Sequence, residues 1–259
     1  MTFTATSVLP SPEICRQYHR VRCNRRRQSG QYNNSFLRRS EQLQAWANKE
    51  ESRQIAVCSN FQTRHAARDF AIDAIDLIKD AQIPVAWALN PRNDLREDVT
   101  SVGVLKYLTL QALQQNHTML NERSAALSAA RYQSATTEDD WINLLGSALE
   151  GLPQIYMIVD LEILGIGMTE RSWSGIFTTL FERLQCRNIR TVVKVAFVLT
   201  RSIYKATLIQ DMDQRSILQI PMNRSGRVSK HRTQARLNKP WKRQRNLLSL
   251  AGSSGDGLS

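Results

Sequence analysis

Residues Gln154 to Leu164 read QIYMIVDLEIL: an unbroken apolar run, Ile155 to Val159, ends at Asp160, and Glu162 follows two positions later. A short apolar run with β-branched members, bounded by Gly151-Leu152-Pro153 before it and Gly165 after it, predicts a strand buried on both faces. Such strands belong to parallel sheets, in which ligands sit beyond the carboxyl ends of the strands. Asp160 stands at that end. It can serve chemistry there, or it can simply cap a neighbouring backbone amide.

Working outward, the same sheet gains strands at Arg53 to Ser59, Ile83 to Leu89 and Arg190 to Thr200, each short, apolar and rich in Val, Ile or aromatic residues. Helices alternate with them. His65 to Lys79 places Ala67, Phe70, Ala71, Ala74, Ile75 and Ile78 at the three-and-four spacing of one apolar stripe, and Asp69, Asp73, Asp76 and Asp80 read as its solvated side. Further helices are expected over Phe36 to Glu51, Ser101 to Gln115 and Ser172 to Leu184. Another begins at Thr137, which stands three residues before Asp140 as in a capping box. Tyr204 to Ile220 is apolar in places and of undecided type. The pattern predicts an α/β fold, a three-layer sandwich with a mainly parallel sheet.

The net charge of +12 is unevenly placed. Ile14 to Ser40 carries eight Arg and no acid, and Arg224 to Arg245 carries nine Lys or Arg and no acid, whereas Glu41 to Asn223 has eighteen basic and twenty-one acidic residues. The predicted organisation is a basic segment over residues 1–35, disordered or weakly helical, an α/β domain over 36–222 and a basic disordered tail over 223–259. Such tails suit nucleic acid backbone or a nuclear address, or remain solvated without a partner. Cys15, Cys23, Cys58 and Cys186 are scattered without a CxxC pair, so neither a zinc site nor a disulfide framework is expected. No run of eighteen apolar residues predicts a membrane span, and the expected setting is cytoplasmic or nuclear.

Four stretches together resemble the P-loop NTPase domain of fungal NACHT or STAND proteins: ARDFAIDAIDLI, IPVAWAL with VLKYLTLQAL, DDWINLLGSALEGLPQIYMIVDLEIL, and VVKVAFVLTR. The resemblance runs from about Ile55 to Arg201. It implies that the strand ending at Asp160 is Walker B, with Asp160 holding Mg²⁺ and Asp160 and Glu162 orienting water, and that Arg201 follows a sensor strand. It also implies a phosphate loop after the first strand. There the chain reads CSNFQTRHAARDF, with no Gly, no Lys and no GK[ST] ending, although a phosphate loop needs Gly for backbone conformations of positive φ and Lys for the phosphates. Ser59, Thr63, Arg64 and Arg68 are the residues left to meet an anion, at a helix N-terminus. The expected function is that of a divergent domain with weak or lost binding of Mg-ATP or Mg-GTP, a regulatory or assembly module leaning away from enzymatic activity. The alternatives are a protein-interaction scaffold, its protein partners unidentified, and a nucleic-acid-associated protein acting through its tails.

Two other constellations carry less. Cys58 with His65 seven residues on has the elements of a thiolate and its base, yet lacks an elbow with flanking Gly; a buried strand Cys is the commoner case. His19, His117 and His231 read as loop or tail residues without metal-ligand spacing.

Overall fold

The computed structural model describes residues 9–29, 40–90, 99–116, 130–164, 172–200 and 212–221. The chain divides into Met1–Met222 and Asn223–Ser259, and the second unit lies wholly outside the described residues.

The strands are β1 (Arg53–Cys58), β2 (Val85–Ala88), β3 (Gln154–Asp160), β4 (Val192–Leu199) and β5 (Ile217–Gln219). They form one sheet in the order β2-β3-β4-β1-β5, and every pair is parallel. The helices are α1 (Pro12–Gln28), α2 (Glu41–Asn48), α3 (Arg64–Asp80), α4 (Ser101–Gln115), α5 (Glu138–Leu149) and α6 (Trp173–Cys186).

Alternation along the strands divides the core. Ala56, Cys58, Met157, Val159, Phe197 and Leu199 face α4, α5 and α6, while Ile55, Val57, Tyr156, Ile158, Ala196 and Val198 face α1, α2 and α3. The fold class is therefore the expected α/β three-layer sandwich, with its described sheet wholly parallel. The connection from β1 runs through α3 on one face to the far edge strand β2, and the returns to β3 and β4 use the other face. This reversal puts the ends of β1 and β4 side by side, with Cys58 opposite Leu199 and Asp160 opposite Val198. A ligand crevice is expected at such a switch point.

Local chemistry explains the boundaries. Thr137 accepts from Asp140 N–H at 3.2 Å while Asp140 accepts from Thr137 N–H at 3.0 Å, closing the expected capping box. The exposed edge of β2 is covered by two glutamines one turn apart on α4: Gln111 exchanges hydrogen bonds with Trp87 N–H and C=O at 3.0 and 2.9 Å, and Gln115 does so with Val85 at 2.7 and 2.9 Å. They stand in for a neighbouring strand. Lys194, fully buried on β4, donates to the carbonyls of Lys49 and, at 2.9 Å, Glu51, so its ammonium is hydrogen-bonded where α2 turns into β1.

Of the two readings of residues 1–35, Pro12–Gln28 takes the helical one and not the disordered one: it is the helix α1. Nor is the acidic side of α3 a solvated face. Arg16 and Arg20 pair with Asp76, Arg26 with Asp69 and Arg27 with Asp73, and Lys79 meets Glu13 at 3.2 Å, so α1 lies antiparallel along α3. Cys15, His19 and Cys23, one turn apart, are buried beneath it. A basic segment judged alone looks unfoldable and an acidic stripe judged alone looks solvated; each supplies the counter-charge the other lacks. His19, expected in a loop or tail, is a buried helix residue.

Candidate functional site

Of the residues expected to contact an anion, Ser59 and Thr63 lie between β1 and α3, and Arg64 and Arg68 lie in the first turns of α3. Ser59 extends β1, its N–H donating to Leu199 C=O at 2.8 Å and its hydroxyl donating to the same carbonyl at 3.1 Å. Asn60 follows, and its Oδ1 accepts from the N–H groups of Gln62 and Thr63, both at 2.9 Å. Thr63 Oγ1 closes the turn, accepting from Asn60 N–H at 3.0 Å and donating to Asn60 Oδ1 at 3.1 Å. An Asn side chain thus takes two of the loop amides that precede α3. Among the described residues positive φ occurs at Gln82, Asn188 and Gly151, none of them in this loop. The backbone does not form the curled cradle that phosphate requires.

The two cations are also engaged. The Arg64 guanidinium lies 4.1 Å from the ring centroid of Phe61. Arg68 pairs with Glu162, both side chains largely buried. The Arg68 Nε is itself without a partner, as is Thr200 Oγ1, one residue beyond β4. Arg201 lies outside the described residues.

Asp160 ends β3 at 2% exposure and turns back on its own chain, its Oδ1 accepting from Glu162 N–H at 3.1 Å as it starts the 3-10 turn Leu161–Ile163. Burial pushes its carboxyl up to about 6; the Glu162 carboxylate adds to the rise and Arg68 opposes it. Asn90, beyond β2, donates from Nδ2 to Glu162 C=O at 3.0 Å. His19 of α1 closes the arrangement, its Nε2 standing 2.6 Å from Asn90 C=O. A carbonyl only accepts, so Nε2 carries the proton. Burial, with Arg68, Arg22 and Arg26 nearby, holds the His19 pKa down and the ring neutral.

The structure brings Asp160, Glu162 and Arg68 together and keeps Ser59, Thr63 and Arg64 on protein partners. This donor set does not fit Mg²⁺, which takes several free oxygen ligands: Asp160 commits an oxygen to the Glu162 amide, and Glu162 is matched by Arg68. Among the described residues no group of three or more His, Cys, Asp or Glu could hold a metal ion. Cys58 is wholly buried in the core, so no thiolate is presented. No step through a metal or nucleotide follows from these residues.

Sequence reasoning missed Asn60, Asn90 and His19. Asn60 had a legible signal, since Asn followed three residues later by Thr at a helix start is the composition of an Asx turn. The other two have none, because their roles depend on α1 docking near the end of β2.

The sequence matches no protein-family model and no curated protein. Among solved structures it is similar to a chain in "Structure of Drosophila ORC bound to GC-rich DNA and Cdc6", with a TM-score of 0.38 and 13% identity over 85% of this chain. The match spans 35% of that chain's length. A likeness of this degree says nothing about activity, ligand or partner.

Proposed function

We propose that this chain is a divergent P-loop NTPase-like domain that has lost nucleotide binding and works as a regulatory or assembly module without hydrolysing nucleotide. The observation that carries the reading is the self-occupied switch point: Asn60 on the loop amides and Arg68 on Glu162. A phosphate entering here would have to break both sets of contacts and meet a loop without Gly or Lys. A fold that keeps its sheet and both helical layers while filling its ligand position supports a role played by surfaces.

The nucleic-acid reading draws less support than the charge suggests. Of the N-terminal arginines, Arg16, Arg20, Arg26 and Arg27 are paired with acids of α3, so their charge is spent within the fold. What remains of that reading rests mainly on the nine Lys and Arg of Arg224 to Arg245. No helix among the described residues is long and apolar enough to cross a membrane.

Titration calorimetry of the full chain with Mg-ATP and Mg-GTP, beside an assay of phosphate release, tests the proposal. The expected result is no saturable heat up to millimolar nucleotide and no release above buffer. Saturable binding tighter than about a millimolar, roughly 4 kcal/mol of affinity, would overturn it.

A further inference from the structure

We propose that Ser29 is a phosphorylation site for a basophilic Ser/Thr protein kinase, and that a phosphate there releases α1 from α3. The inference does not depend on whether nucleotide binds.

The sequence Arg25-Arg26-Arg27-Gln28-Ser29 puts guanidinium groups two, three and four residues before a hydroxyl, the charge pattern that a kinase with an acidic substrate groove selects. Ser29 is exposed and is the C-cap of α1. Its hydroxyl donates to Arg26 C=O at 2.9 Å and its N–H to Arg25 C=O at 3.1 Å, bonds of a terminal turn that frays readily. Fraying supplies the extended segment a kinase needs. In the transfer, Ser29 Oγ bonds to the γ-phosphorus of Mg-ATP held by the kinase, the bond from that phosphorus to the β,γ-bridging oxygen breaks, ADP leaves, and the hydroxyl proton passes to the kinase's base.

The recognition arginines are also the docking arginines. Arg26 holds Asp69, with Nε to Oδ2 at 3.0 Å, and Arg27 holds Asp73. A phosphate on Ser29 brings close to two negative charges to the carbonyl end of α1, where the helix dipole disfavours them, and competes with Asp69 and Asp73 for the same guanidinium groups. Asp69 is 2% exposed and tolerates the loss of its cation poorly. The α1–α3 contact weakens at the end that carries its most buried ion pair, Arg26 with Asp69.

Ser40 provides an internal contrast. It also follows two arginines, Arg38 and Arg39, but it is the N-cap of α2, where its hydroxyl accepts from Leu43 N–H at 3.4 Å. A phosphate there favours the helix.

The test treats the full chain with Mg-ATP and a kinase selecting Arg two and three residues before Ser, maps phosphate by mass spectrometry, and follows amide exchange over residues 12–28. Expected are phosphate at Ser29, none in Ser29→Ala, and exchange in α1 about tenfold faster in the phosphoprotein while the β3 and β4 amides are unchanged. Phosphate confined to Ser40 or other sites would overturn the assignment, and phosphate at Ser29 with unaltered exchange would overturn the release.

Discussion

Burial and the neighbouring Glu162 raise Asp160 from 3.8 to about 6, so its charge opposes the fold. With the folded pKa above the unfolded one, the favourable contribution is complete below about pH 4 and is lost as pH rises through about 6. Asp160→Asn keeps an acceptor for Glu162 N–H and cannot ionise. Urea unfolding should therefore show the variant gaining on the parent by roughly 2 kcal/mol between pH 4 and pH 7, most of it below pH 6. A difference constant across that range would mean that Asp160 is ordinary. Arg68→Ala should act in the other direction at pH 7, destabilising by about 3 kcal/mol because Glu162 is left buried without its cation. Arg68→Met with Glu162→Leu should recover much of that loss. Asp160 and Glu162 were legible as a strand-end pair because β periodicity and the terminal acid are both local. That Arg68 would reach Glu162, and not an anion, was not legible, since it depends on how α3 sits over the sheet.

Among the elements, α1 was read least well and α4 only in part. The periodicity of α4 predicts Val104, Leu105, Leu108, Ala112 and Leu113 as inward, and the first four are buried while Leu113 is half-buried against the same core; Gln111 and Gln115 look like ordinary polar positions until β2 is seen as an edge strand. Gln111→Ala strands the N–H and C=O of Trp87 and should cost about 2 kcal/mol in chemical unfolding; a loss within error would argue that water replaces the glutamine. For α1, acid is the sensitive variable. His19 faces Arg22, Arg26 and Arg68 as well as Asn90 C=O, and its pKa lies below the ordinary 6.5. A base with a depressed folded pKa contributes stability that is lost as pH falls below its unfolded value. Amide protection of α1 should thus decline from pH 7 to pH 5 once corrected for intrinsic exchange, and His19→Gln, whose amide still donates, should flatten the decline. An equal decline in both proteins would assign the effect to other groups. The charge complementarity of α1 and α3 was present in the sequence as two runs of opposite sign, but pairing them requires knowing that the helices touch.

The whole molecule keeps a five-stranded parallel sheet with the carboxyl ends of β1 and β4 adjacent, the geometry in which such folds place a ligand. There Asn60 holds two loop amides and Arg68 pairs with Glu162. Strands β1 to β4 were legible from apolar runs between turn residues; β5 was not, because three residues, Ile217–Gln219, carry too little pattern to distinguish a strand from a packed loop. The claim on which the account depends is that the switch point is closed by Asn60, Arg68 and Glu162. Ligand that binds only the folded state must raise the unfolding midpoint. Thermal unfolding of the full chain with and without millimolar Mg-ATP and Mg-GTP should show the same midpoint in every condition. A rise of several degrees that disappears in Asp160→Ala would contradict the account and restore nucleotide to the site.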